Sequence, residues 1–156
     1  EPVTVWEYLY QFCIAFCGTM AFAVLFFVPA RQYLACGLTG AAGWLVYTWM
    51  MQLQPSTVVA SLVAVLPLTA LARLFSTRRK APITLFLLCG IFPLVPGAGI
   101  YYTAYYFITG QTALMGEKGA ETIKIAGALA LGMVLVLSLP GGLFQPIFRR
   151  QSAKDD

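Results

Sequence analysis

Charged side chains divide this chain into long apolar runs. Four stretches carry none: Tyr8–Ala30, Gln32–Ala72, Ala81–Gly116 and Ile125–Phe148. A helix that crosses the hydrocarbon core needs about 20 apolar residues. The second stretch is twice that length. It is interrupted by Gln52-Leu-Gln-Pro-Ser-Thr57, a polar turn that carries a helix-start signal. The pattern therefore predicts five spans, at about 6–28, 31–51, 56–75, 81–109 and 119–140. The expected fold is an all-α integral membrane protein, a single transmembrane domain over residues 1–156.

The fourth span departs from a plain apolar helix. It holds Pro93, Pro96, Gly97 and Gly99 within seven positions, inside a charge-free run of 36 residues. Proline lacks the N–H that a helix needs and clashes with the preceding turn. In hydrocarbon, each freed backbone group must find a partner or face a lined cavity. Counted from Ala81 at about 1.5 Å per residue, Pro93 lies about 18 Å in, close to the midplane of the core. The helix is expected to break there and to start again. The N–H groups near Gly97, Ala98 and Gly99 would then carry a partial positive charge. A carboxylate is the natural ligand for such an end. Tyr101, Tyr102, Tyr105 and Tyr106 follow, offering hydroxyl donors and aromatic walls. The bland alternative is a proline kink packed against its neighbours, with the tyrosines at the membrane interface.

Composition agrees with the membrane reading. The chain is 60% hydrophobic and only 10% charged, against about 25% charged in a soluble domain. No cleavable signal peptide is expected, because the first apolar run has no basic flank ahead of it. Lysine and arginine segregate by side. Arg31, Arg73, Arg78, Arg79, Lys80, Arg149, Arg150 and Lys154 fall on one side, and only Lys118 and Lys124 on the other. Eight against two predicts the N-terminus outside and the C-terminus in the cytoplasm. The basic residues read as membrane anchors, so no nucleic-acid partner is expected.

Other features read first as packing. Gly37, Gly40 and Gly43 recur every third residue in span two and suggest a close helix contact. Arg31 sits at the cytoplasmic mouth, either as a snorkelling anchor or as a contact for an entering carboxylate. Pro67 predicts a kink in span three. Cys13 and Cys17 lie one helical turn apart, and Cys36 and Cys89 stand singly on other spans. With no histidine in the chain, they are read as small apolar side chains. No metal site and no cofactor are expected. Glu117, Lys118, Glu121 and Lys124 form a mixed-charge first turn on the outer side of span five, and no carboxylate is expected within the body of a span.

Several of these pieces together resemble a known family. They are Val28-Pro-Ala-Arg31, the glycine-rich second span, Phe92-Pro-Leu-Val-Pro-Gly97 with a tyrosine downstream, and Leu137-Ser-Leu-Pro-Gly141. The chain resembles the small, C-terminal-half subunit of the threonine/serine exporter family. It is also similar to the small subunit of a bacterial succinate exporter. The resemblance implies export across the bacterial inner membrane, driven by an ion gradient, with the family's other half as partner. Pro93, Pro96 and Gly97 carry over from its motif, and Pro29 and Arg31 more weakly. An odd number of spans joined to a related half of equal size would set the two halves in opposite orientation.

Three function classes follow. The first is an exporter subunit for a small carboxylate-bearing solute, threonine or serine or a C4 dicarboxylate such as succinate. The second is an assembly subunit with no substrate site. The third, an enzyme, has little support without a histidine, an intramembrane acid or a glycine-flanked serine nucleophile.

Overall fold

The structure, a computed structural model, describes residues 4–140. The basic tail with Arg149, Arg150 and Lys154, and Gly141 of the terminal motif, lie outside the described residues. Six helices follow one another: α1 (Val5–Leu25), α2 (Tyr33–Leu53), α3 (Thr57–Arg79), α4 (Ile83–Ile91), α5 (Gly97–Ile108) and α6 (Thr112–Ser138). Four of them are long and apolar enough to cross a membrane alone. The other two, α4 and α5, form one bent pair. The chain is a multi-pass membrane protein.

Local chemistry sets the boundaries. The Glu7 carboxylate accepts the Thr4 backbone N–H at 2.9 Å, closing the first turn of α1. Lys80 ends α3 in a left-handed conformation, φ 51°, and Pro82 then starts α4. Gly110, φ 73°, turns the chain between α5 and α6. The helix of span five starts at Thr112, well before the expected 119. The charged turn that marks the end of the apolar run does not mark the end of the helix, because glutamate and lysine are good helix formers. Pro67 lies inside α3, which runs unbroken from Thr57 to Arg79.

The helices pack through small residues. The central helix α2 contacts α1, α3 and α4, and α3 also packs on α6. A Cβ on Gly37 would come within 2.7 Å of the Phe16 ring, and one on Gly43 within 2.7 Å of Leu68. One on Gly40 would run into the Thr19 side chain. Without water to drive burial, such close backbone approach and the dispersion it brings hold membrane helices together. The buried hydroxyls are satisfied locally: Thr19, Thr39 and Thr69 each donate to the carbonyl four residues earlier, at 2.8, 2.7 and 2.8 Å. Cys36 and Cys89 are buried together in the cluster around Phe86.

Two long-range bonds fix the direction of the last span. The Thr57 hydroxyl at the start of α3 donates to Glu121 near the start of α6, at 3.1 Å. The Arg73 guanidinium near the end of α3 donates to the Val136 carbonyl near the end of α6, at 3.0 Å. Hence α3 and α6 run parallel. A chain that leaves α3 at one end must return to the other before α6 can begin. The pair α4 and α5 therefore crosses once, as a single broken span bent by 57°, rather than dipping in and out on one side. Five crossings result among the described residues.

Candidate functional site

The break is built from two devices. A 3-10 turn, Phe92–Leu94, ends α4, and Leu94 is buried among Ala64, Val65, Leu68, Ile125 and Leu129. Pro96 follows with φ −76° and ψ 60°, and the Gly97 N–H donates across it to the Val95 carbonyl at 2.7 Å. That is an inverse γ-turn, a three-residue reversal that proline's fixed φ favours. Then α5 starts, and the Ile100 N–H takes the Pro96 carbonyl at 3.1 Å. The N–H of Gly97 is thus engaged. Ala98 and Gly99 occupy the first turn of α5, where N–H groups lack an intrahelical acceptor.

α5 folds back on α6 and packs mainly against it. A Cβ on Gly99 would run into the Thr122 hydroxyl, so this glycine lets the two helices touch. Between them opens a cleft of about 510 Å³, lined by Pro96, Ala98, Gly99, Tyr102, Tyr106, Lys118, Glu121, Thr122 and Ile125. The Lys118 ammonium donates to Glu121 Oε2 at 2.9 Å, and the Thr57 hydroxyl donates to Glu121 Oε1. Both charged side chains are partly open, 43% and 39% exposed. The cleft therefore offers a cation, an anion, the first turn of a helix and two phenol rings.

The residues singled out by sequence separate into two groups. Pro96, Ala98, Gly99 and Tyr102 meet in the cleft. Ala98, Tyr102 and Tyr106 are four apart and form one stripe of α5. Gly97, Tyr101 and Tyr105 form the next stripe, exposed and outside the cleft. Pro93 lines a separate cavity of about 240 Å³ beside Gln11, Phe22 and Trp44. Arg31 is at the far end, where its carbonyl accepts Arg79 at 2.7 Å. The 23-residue α3 separates that end from Thr57, which puts Arg31 about 30 Å from the cleft.

Comparison with known proteins gives the family. Residues 11–139 match the model of the threonine/serine exporter family, ThrE. The chain belongs to the threonine/serine exporter family. The match contains Val28-Pro-Ala-Arg31 and the whole broken span. Similar to it is a probable threonine/serine exporter of Mycobacterium tuberculosis (strain ATCC 25618 / H37Rv), 27% identical over 121 residues. That alignment takes in 74% of this chain and 23% of the relative, so the chain spans about a quarter of that protein's length. No solved structure matches the chain.

In this exporter-family chain, sequence reasoning missed the charged wall of the cleft. From sequence, Glu121 and Lys118 read only as part of the mixed-charge first turn of span five. Their place in the cleft depends on α5 folding against α6. The short link Thr109–Gln111, three residues including a glycine, is the one signal for that hairpin.

Proposed function

We propose that this chain is the membrane subunit of an ion-gradient-driven secondary exporter for a small carboxylate-bearing solute. The solute is threonine or serine, or a C4 dicarboxylate such as succinate, and the chain works with the family's other half. The observation that carries this reading is the cleft at the break of span four, where the first turn of α5 and Lys118 give a carboxylate two positive partners. Family membership supports transport over catalysis. Arg31, at the far end of the bundle, would meet the carboxylate at the cytoplasmic entrance. The charge asymmetry supports a bacterial inner-membrane location with the N-terminus outside and the C-terminus in the cytoplasm. On that orientation the cleft belongs to the outer half of the membrane.

A second reading has its own observation. The close approach of Gly99 to Thr122 is what a break that serves packing alone would need. The chain would then be an assembly subunit without a substrate site. Counterflow separates the two. Vesicles carrying the assembled exporter are preloaded with threonine, serine or succinate, and uptake of the labelled solute is followed. The exporter reading predicts exchange of at least one solute that is lost when Ala98, in the cleft, is replaced by Trp. Exchange that survives Ala98→Trp at a normal membrane level would favour the assembly reading.

A further inference from the structure

We infer that Lys118 and Glu121 are the specificity-determining pair of the cleft, an internal ion pair that a zwitterionic solute opens and replaces. The inference rests on the exporter reading and narrows its substrate class. The pair is half-exposed and sits on one helix at i and i+3, a geometry that contributes little to folding. It lines the same cleft as Ala98 and Gly99 of the first turn of α5. Its anion is held in place from elsewhere. Thr57, on a different helix, occupies Glu121 Oε1 and leaves Oε2 to Lys118. When Lys118 turns away, Glu121 stays.

An α-amino acid matches this arrangement charge for charge. Its carboxylate takes Lys118 and the N–H groups of Ala98 and Gly99. Its ammonium takes Glu121 Oε2. One ion pair becomes two, and the loaded cleft remains neutral. A dicarboxylate has no such fit. One carboxylate finds Lys118, and the other meets Glu121, a like charge with Thr57 holding it forward. Glu121 therefore acts as a contact for the ammonium and as a repulsive element against dianions. Thr57 is a positioning residue.

The test uses vesicles carrying the assembled exporter and four solutes: threonine, N-acetylthreonine, threoninol and succinate. N-acetylthreonine lacks the ammonium, and threoninol lacks the carboxylate. In the unsubstituted exporter, threonine should exchange at least about tenfold faster than the other three, the loss expected for one charged hydrogen bond. Glu121→Gln keeps an oxygen for Thr57 and should erase the preference over N-acetylthreonine while keeping that over threoninol. Lys118→Gln should do the converse. Glu121→Lys should bring succinate above threonine, a gain that misfolding cannot imitate. An unsubstituted exporter that prefers succinate overturns the inference and leaves the exporter reading standing. So does selectivity unchanged in all three variants, or an equal loss of all four solutes at normal membrane levels. If the unsubstituted exporter moves none of the four, nor serine, the exporter reading and this inference fall together.

Discussion

Gly97 and Gly99 are two residues apart in the same motif and do different things. A Cβ on Gly97 meets nothing within 4 Å, whereas one on Gly99 strikes the Thr122 hydroxyl. Gly97→Ala should leave thermal stability within about 0.5 kcal/mol of the parent. Gly99→Ala should lower it by roughly 1–3 kcal/mol, the usual cost of overpacking. The double substitution Gly99→Ala with Thr122→Ala should recover most of that loss. Unfolding of the detergent-purified exporter measures all three, and equal effects at the two glycines would mean that α5 does not sit on α6 as described. Legibility at this scale was uneven. The tyrosine cluster was visible in the sequence, but all four rings were taken together. Helical spacing divides them, with Tyr102 and Tyr106 in the cleft and Tyr101 and Tyr105 outside it. Glu121 was visible only as one charge of a mixed first turn, because nothing local to it reveals Thr57, far earlier in the chain.

Among the elements, the broken span was legible from its prolines alone. Two residues without an N–H, three apart, cannot sit in one continuous helix without loss of hydrogen bonds. The form of the break was not legible. A 3-10 turn and an inverse γ-turn depend on Leu94 finding its place beneath α3 and α6. Replacing both Pro93 and Pro96 with alanine restores two donors and removes a helix penalty of about 3 kcal/mol at each site. The span should straighten and the first turn of α5 should vanish as a binding surface. Transport per assembled complex should fall at least about tenfold, with membrane insertion unchanged. Normal transport by the double variant would mean that the bend serves packing. The start of α6 at Thr112 was misread for a related reason. Hydropathy marks where apolar residues begin, while the helix begins where Gly110 lets the chain turn.

At the scale of the whole molecule, the parallel run of α3 and α6 makes the broken span a true crossing and sets the cleft near the Thr57 end of the bundle. Arg31, Arg78, Arg79 and Lys80 gather at the opposite end. The count of five crossings was legible from the charge-free runs and the polar turn that divides the second of them. The meeting of Lys118, Glu121 and the first turn of α5 was not, since it arises from the fold of three helices together. The proposed export route requires that the solute occupy this cleft. Ala98 lines it and is exposed. With the native cysteines replaced, Ala98→Cys is treated in intact cells with an impermeant thiol reagent, with and without threonine. The account predicts that the thiol reacts from outside and that threonine slows the reaction at concentrations that saturate exchange. A labelling rate unchanged by every solute the exporter moves would contradict it.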